Sequence, residues 1–156
     1  MTTTLLFVGK TTDPHIEALN QSYLKRLTHY LPVKVQVIPE LRNTKALTPE
    51  QQKLAEGELI LRSISPNAEL ILLDEHGKEY RSIDFAQVMQ KKMSSGRDLI
   101  FAIGGPYGFS KEVYDKCKSK ISLSEMTFSH QMIRLIFVEQ LYRAFTIIKG
   151  EPYHHV

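Results

Sequence analysis

The sequence predicts an α/β fold in which a mostly parallel sheet is covered by helices on both faces. Five strand-like apolar segments alternate with five helix-like segments along the chain, and this alternation is typical of parallel sheets. The segments near the middle of the chain are apolar throughout, as expected for strands that are buried on both faces. The 156 residues contain neither a repeat nor a linker-like stretch, which predicts one domain over residues 1–156.

The first strand is predicted at residues 4–10, which are apolar and rich in β-forming side chains. Asp13 and Pro14 then predict a helix start, because Asp is a favourable N-cap and Pro fits the first helical position. Apolar residues at helical spacing extend this helix to about Tyr30. Residues 33–38 alternate between apolar and polar side chains, which predicts a second strand with one solvated face.

The second helix is predicted to begin at residues 48–51, where Thr-Pro-Glu-Gln forms a capping-box pattern. It should run to about Ile64. Residues 69–74 are the third predicted strand, and residues 75–82 are a predicted loop. Ser82 is the expected N-cap of the third helix.

The third helix should stop at Gly96, and the fourth strand is predicted at residues 98–105, where it runs directly into glycines. Ser110 is the expected N-cap of a short fourth helix. Residues 120–128 predict a fifth strand that leads to a loop, and a long amphipathic helix follows.

Composition and charge limit the classes of function and the cellular locations that we expect for this chain. A formal net charge of +3 is mildly basic, so it permits a nucleic-acid partner through a local patch without requiring one. Cys117 is the only cysteine; this excludes an intrachain disulfide framework and a multi-cysteine zinc site, and it favours the cytoplasm. No apolar run approaches the ~20 residues of a membrane span, and the first residues predict a strand rather than a signal peptide. We expect neither a membrane nor a metal.

The loops that follow the last three strands are the expected binding region, because ligands of open α/β sheets bind beyond the carboxyl ends of the strands. Gly104, Gly105 and Gly108 lack side chains, so a ligand can contact their backbone; an ordinary tight turn is the alternative. Their spacing matches neither the dinucleotide-binding fingerprint nor a P-loop. The hydroxyl-rich residues 122–130 are either a polar ligand-binding loop or a plain connection with Ser129 as the N-cap of the last helix.

The last helix carries polar residues beside its apolar stripe. Glu139 and Arg143 are four residues apart with the acid first, which is a favourable surface pair, and His130 shares a face with Arg134. The chain then continues to Tyr153 and two histidines. A solvated helix face followed by a loose tail is the simpler interpretation, and a functional cluster is the other.

Several motifs together resemble the SPOUT-class ribosomal RNA large subunit methyltransferase H family. IGGPYGFS, SLSEMTFSHQMIR and EQLYRAFTIIKGEPYHH cover the last third of the chain, and ILLDEHGK, the strand order and the length extend the likeness over nearly all of it. The resemblance implies an α/β-knot whose C-terminal segment forms a trefoil knot. It also implies a homodimer that binds S-adenosyl-L-methionine and methylates N3 of a pseudouridine in the 23S rRNA of the assembled ribosome.

Carried over to this sequence, the resemblance assigns two sets of site residues. The cofactor-binding set is Leu73, Gly105, Ser124, Glu125, Met126, Thr127, Phe128 and Ser129. The catalytic set is Arg134, Glu139, Arg143, Tyr153 and His154. We expect His154 to accept a proton or orient the base, Tyr153 to stack on or bond the base, and the arginines to pair with phosphate or with Glu139. The tail would then return over the cofactor pocket, held by the knot and by the other protomer.

The sequence departs from the family pattern at three places. Tyr107 stands where Glu is common, Ser129 stands where Pro is usual, and the chain reads His155-Val156 where a basic residue commonly follows the family's His. A neutral His155 would carry less positive charge than Lys or Arg. These departures leave two alternatives open: a ribosome-binding factor that has lost catalysis, and a methyltransferase for another RNA such as tRNA.

Overall fold

The computed structural model describes residues 1–155. Within them lies one five-stranded sheet in the order β2-β1-β4-β3-β5, and every pair of neighbouring strands is parallel. The predicted α/β class is therefore confirmed, and the trefoil knot stays a prediction. The strands are β1 (Thr3–Val8), β2 (Val33–Ile38), β3 (Glu69–Glu79), β4 (Leu99–Ile103) and β5 (Ser119–Ser122).

Helices cover both faces of this sheet, as predicted. They are α1 (Pro14–Leu27), α2 (Pro49–Arg62), α3 (Ser82–Ser94), α4 (Lys111–Lys116) and α5 (Met132–Ile148), with a short 3-10 helix at Thr44–Ala46. The helices α1, α3 and α5 share one apolar core with the sheet. The helices α2 and α4 pack on the opposite face around Ile60 and Val113. In the described residues 1–155, no helix is both long and apolar enough to span a membrane.

Three of the predicted helix caps are confirmed. The Asp13 side chain accepts hydrogen bonds from the backbone of His15 and Ile16. Thr48 and Gln51 form the reciprocal capping box. The Ser110 hydroxyl accepts a hydrogen bond from Val113 N. These short-range signals work because each depends only on groups within one helical turn.

The prediction that Ser82 caps α3 is wrong. The helix begins at Ser82 itself, and Arg81 occupies the N-cap position without a side-chain hydrogen bond to the helix. The Ser82 hydroxyl donates instead to Gln140 Oε1 at 3.1 Å. The Ser82 hydroxyl, which the local sequence pattern assigns to capping α3, therefore forms a tertiary hydrogen bond with α5 instead.

Two predicted strand limits are also wrong. The predicted loop at residues 75–82 continues β3 as far as Glu79, where Lys78 and Glu79 pair with β5 after a register shift. The strand β4 ends at Ile103 rather than at Gly105, whereas β5 ends at Ser122 and leads into a loop as predicted. Both differences place irregular backbone at the carboxyl edge of the sheet, where parallel strands leave room for a ligand.

Candidate functional site

A cavity of about 670 Å³ opens at the carboxyl edge of β3, β4 and β5. Its walls are the end of β3, the glycine loop (residues 104–108) and the segment that follows β5, here called the hydroxyl loop (residues 122–130). A volume of this size suits a cofactor-sized molecule. All eight residues predicted to bind the cofactor line this cavity: Leu73, Gly105, Ser124, Glu125, Met126, Thr127, Phe128 and Ser129.

The glycine loop makes a tight turn at the end of β4. Gly108 N donates to Gly105 O at 3.2 Å, and Gly108 has a φ of 80°, which is a left-handed conformation that favours glycine. A Cβ on Gly104 would lie 3.1 Å from the Phe109 ring. The turn interpretation is therefore confirmed; the loop also lines the cavity, and contact of its backbone with a ligand stays a prediction.

Short hydrogen bonds fix the hydroxyl loop. Ser122 Oγ donates to Ser124 O at 3.0 Å, and Met126 N donates to Ser124 Oγ at 2.9 Å. Ser129 Oγ accepts from Met132 N at 3.1 Å; the helix α5 itself begins at Met132 with Gln131 as its N-cap. Ser129 thus opens a turn before the helix, and the serines of this loop shape the cavity wall.

Asp74 is a cavity residue that the sequence reasoning missed. It follows Leu73 in β3 and lines the cavity. Tyr114 donates its hydroxyl to Asp74 Oδ1 at 2.9 Å, while Asp74 Oδ2 is buried without a hydrogen-bond partner among the described residues. Burial, followed by this hydrogen bond, raises the pKa of the Tyr114 phenol. A polar residue at the carboxyl end of an apolar strand was a signal that could have identified Asp74.

Four of the five predicted catalytic residues form one cluster, but the cluster lies on α5 rather than at the cavity. Arg143 Nη2 donates to Glu139 Oε1 at 2.6 Å, and Tyr153 also donates its hydroxyl to Glu139 Oε1 at 2.9 Å. The Arg143 guanidinium lies 4.8 Å from the Tyr153 ring centroid. Of the described tail, residues 153–155, none lines the cavity. Within one protomer, the expectation that the tail returns over the pocket is therefore wrong.

The neighbours of His154 define its tautomer. Arg143 Nη1 lies 3.1 Å from His154 Nδ1, and a guanidinium only donates hydrogen bonds. Nδ1 therefore accepts, and the proton of the neutral ring sits on Nε2. In this arrangement the imidazole offers an N–H donor to a substrate rather than a free acceptor.

The hydroxyl of Tyr153 is held in its protonated form. Burial is the largest cause that raises the pKa of this phenol, and hydrogen bonds with Tyr23 and Glu139 add to it. The Tyr153 ring also packs edge-on against Tyr142, with ring centroids 4.9 Å apart. The two hydrogen bonds of the hydroxyl and the contact with Tyr142 therefore hold the Tyr153 ring in a fixed orientation.

Arg134, the fifth predicted catalytic residue, lies inside the protein. Its side chain is fully buried, and it donates to Val8 O at 2.7 Å and to Thr11 Oγ1 at 3.0 Å. Burial lowers the pKa of its guanidinium. Arg134 pairs with neither Glu139 nor, in this position, a phosphate; it anchors the segment after β1 to α5.

We expect Arg134→Lys to lower the free energy of unfolding by about 2 kcal/mol, because one ammonium cannot reproduce the guanidinium's two buried hydrogen bonds. Urea unfolding measures this change. Arg81→Lys is the control, since among residues 1–155 Arg81 forms its ion pair with the surface residue Asp84, and a change within about 0.5 kcal/mol is expected there. Equal stability of Arg134→Lys and the wild type would contradict the anchoring role.

Two further ionisable groups have raised pKa values, Cys117 at the end of α4 and Glu56 on α2. Burial raises the pKa of the Cys117 thiol, which agrees with a structural rather than a nucleophilic cysteine. Glu56, on α2, is also buried, and desolvation is the largest cause that raises its pKa above the ordinary 4.5. No sequence signal distinguished Glu56 from the other acids of an amphipathic helix.

We expect Glu56→Gln to become more stable than the wild type as the pH rises. A raised pKa means that ionisation opposes folding, so the wild type loses stability from about the ordinary pKa upward until the folded-state pKa is passed. Below that range both proteins carry a neutral side chain and should unfold at the same urea concentration. Parallel stability curves across the whole pH range would contradict this expectation.

Comparison with known proteins identifies the family of this chain. Residues 1–154 match the family described as "Predicted SPOUT methyltransferase". A Bacteroides fragilis protein named ribosomal RNA large subunit methyltransferase H is 57% identical in an alignment of 156 residues, with coverage of 99% for this chain and 99% for that protein. Proteins with the same name from Bacteroides thetaiotaomicron and Christiangramia forsetii are each 55% identical over 156 residues, again 99% of both chains.

Residues 1–155 contain no group of three or more His, Cys, Asp or Glu side chains that could hold a metal ion.

The family match and the relatives extend over nearly the full chain, and they cover the β-strands, the glycine loop and the hydroxyl loop alike. The chain therefore belongs to the ribosomal RNA large subunit methyltransferase H family of SPOUT methyltransferases.

Proposed function

We propose that this chain methylates ribosomal RNA of the large subunit, with S-adenosyl-L-methionine as the methyl donor. The target is N3 of a pseudouridine in the 23S rRNA of the assembled ribosome, and the enzyme works as a homodimer in the cytoplasm. The observation that carries the proposal is the convergence of the glycine loop and the hydroxyl loop on one cavity. Family membership and the names of the full-length relatives support the reaction class.

The cavity fits a cationic nucleoside cofactor. The acids Asp74, Glu75 and Glu125 line it together with the basic residue Lys53, so acidic side chains outnumber lysines in the cavity wall. The buried, unpartnered Asp74 Oδ2 can accept from an ammonium or a hydroxyl group. Exposed backbone at Gly104 and Gly105 allows the ligand to approach the loop closely. Carboxylates, hydroxyls and open backbone are the groups that such a ligand requires.

When bound, S-adenosylmethionine supplies an activated methyl group for an in-line displacement. The chain's own task is to hold the nucleobase in line and to exclude water. Leu73, Ile103 and Ile133 are among the apolar residues of the cavity wall, and they limit the access of water to the reacting atoms. Positioning of this kind supplies much of the rate in such a transfer.

The polar cluster on α5 is the proposed source of the groups that handle the nucleobase. The imide N–H must release its proton to solvent before the methyl group is transferred, and the positive charge of Arg143 stabilises the resulting anion. Tyr153 offers a rigid ring for stacking, as suits an unpaired base. His154 orients the base through Nε2–H, the donor left free by its contact with Arg143.

The homodimer joins this cluster to a cavity. Within one protomer the cluster and the cavity lie apart, so we infer that the cluster of one protomer serves the cavity of its partner. Large apolar side chains at the cavity rim support a contact surface there: Met126 is 79% exposed, and Tyr107, Phe128 and Met132 are also exposed. Patches of this kind mark interaction sites.

Methylation mapping on ribosomes tests the function. Intact ribosomes that lack the modification are incubated with the protein and labelled S-adenosylmethionine, and 23S rRNA fragments are analysed by mass spectrometry. We expect a single methyl group on one pseudouridine. Cofactor binding without methylated 23S rRNA, but with methylated tRNA, would favour another RNA substrate. Ribosome binding without any cofactor binding would favour a non-catalytic ribosome-binding factor.

A further inference from the structure

Glu56 is a buried acid that lies behind the glycine loop and takes no part in the transfer described above. Its side chain projects from α2 and is 5% exposed. Its Oε1 atom has no hydrogen-bond partner among residues 1–155. Because burial of a carboxyl group without full pairing is unfavourable, a residue of this kind indicates a functional constraint.

Two glycines allow Glu56 to reach the cavity wall. A Cβ on Gly57 would overlap Ser110 Oγ, so α2 packs directly against the start of α4. A Cβ on Gly105 would lie 3.1 Å from both carboxyl oxygens of Glu56. The carboxyl group therefore lies against Gly105 with no side chain between them, and Gly105 lines the cavity.

The groups that face Glu56 do not neutralise a negative charge on it. Burial raises the pKa of Glu56 most, the carboxylate of Glu40 after β2 raises it further, and a hydrogen bond with Gln52 lowers it. Ser110 at the start of α4 is neutral. Lys53, one turn earlier on α2, pairs with Glu50 at 3.0 Å. An ionised Glu56 therefore gains most from a cation placed in the cavity beyond Gly105.

We propose that Glu56 is a specificity-determining residue, which attracts the sulfonium of bound S-adenosylmethionine across Gly105 and so favours this cofactor over its neutral product, S-adenosylhomocysteine. The inference rests on the proposed function. The attraction exists while the sulfur carries its positive charge, and it disappears when the methyl group has left. Glu56 thereby assists both the binding of the cofactor and the release of the product.

Proton linkage follows from this arrangement. A cation near a carboxyl group favours the ionised form, so binding of S-adenosylmethionine releases a proton from Glu56 to water. The affinity for S-adenosylmethionine should therefore rise with pH through the range in which Glu56 titrates. S-Adenosylhomocysteine has a neutral sulfur, and its affinity should lack this contribution.

Isothermal titration of the full chain with each compound, from about pH 5 to about pH 8, tests the proposal. Glu56→Gln should weaken S-adenosylmethionine binding by about tenfold at the upper end of this range and S-adenosylhomocysteine binding by less than about twofold. It should also remove the difference between the pH profiles of the two compounds. Glu58→Gln is the matched control, because Glu58 is an exposed acid on the same helix, and it should bind both compounds as the wild type does.

Several results would overturn the proposal. One is an equal loss of affinity for both compounds in Glu56→Gln, since that would mark a purely structural role. Another is an unchanged preference between them. Identical pH profiles of the two compounds in the wild type would overturn it without any variant. If the wild type bound neither compound, the proposed function would fall as well, whereas the preceding results would leave that function intact.

Discussion

Removal of residues 153–156 is expected to lower methyl transfer to ribosomes by at least about a hundredfold while changing the affinity for S-adenosylmethionine by less than about twofold. The reason is the spatial separation of the two sites: the cavity is lined by residues between Lys53 and Ile133, and the deletion removes only Tyr153 and His154 of the cluster. Ribosome methylation rates and calorimetric cofactor binding measure the two effects. Full activity of the truncated chain would remove the tail from the mechanism.

Point variants separate the groups of the tail. Tyr153→Phe keeps the ring against Tyr142 and loses the hydroxyl bond to Glu139. If the ring acts by stacking, this variant should retain most of the activity that Tyr153→Ala loses. His154→Ala should lower turnover with little change in cofactor affinity, because its imidazole contacts Arg143 and not the cavity.

Complementation distinguishes a tail that acts within one protomer from a tail that serves its partner. Truncated protomers are mixed with Gly105→Val protomers, in which the glycine loop must shift at the cavity wall because a Cβ at this position would lie 3.1 Å from both carboxyl oxygens of Glu56. Each homodimer is expected to be inactive. A heterodimer has one intact cavity and one intact tail on different protomers, so it should recover activity if the tail acts across the interface. Absence of recovery in proven heterodimers would place the tail's action within one protomer.

The parts of the fold that sequence predicts well are those set by local or periodic patterns. The limits of β2 follow from its alternation, and the caps at Asp13, Thr48 and Ser110 follow from hydrogen bonds within one turn. The predicted order of strands and helices is confirmed, because the central strands are buried on both faces and must be apolar throughout.

The parts that sequence misses depend on contacts between distant segments. Polar residues 75–79 resemble a loop, yet they extend β3 by pairing with β5. Arg134 resembles a surface residue at helical spacing, but it lies inside because Val8 O and Thr11 Oγ1 receive its hydrogen bonds. The position of Tyr153 on α5 likewise depends on Glu139 and Tyr23, which no pattern in the tail itself reveals.

Gly77→Ala is expected to lower the free energy of unfolding by about 3 kcal/mol, the largest stability change that we predict for a single methyl group. A Cβ at this position would lie 2.6 Å from both the backbone N and the backbone C of Ile121. Backbone atoms cannot rotate away as the end of a side chain can, so β3 and β5 must move apart. Urea unfolding measures the loss.

The same displacement should reach the cofactor site, because Leu73, His76 and Ile121 line the cavity on either side of the contact. We therefore expect Gly77→Ala to weaken S-adenosylmethionine binding about tenfold even under conditions where the chain is fully folded. Gly96→Ala is the control: its φ of 71° strains an alanine, but nothing lies within 4 Å of the new methyl group. It should destabilise the fold by about 1 kcal/mol and leave cofactor affinity unchanged. If Gly77→Ala and Gly96→Ala lowered the free energy of unfolding equally and neither weakened S-adenosylmethionine binding, the close contact between β3 and the Ile121 backbone would not determine the shape of the cavity.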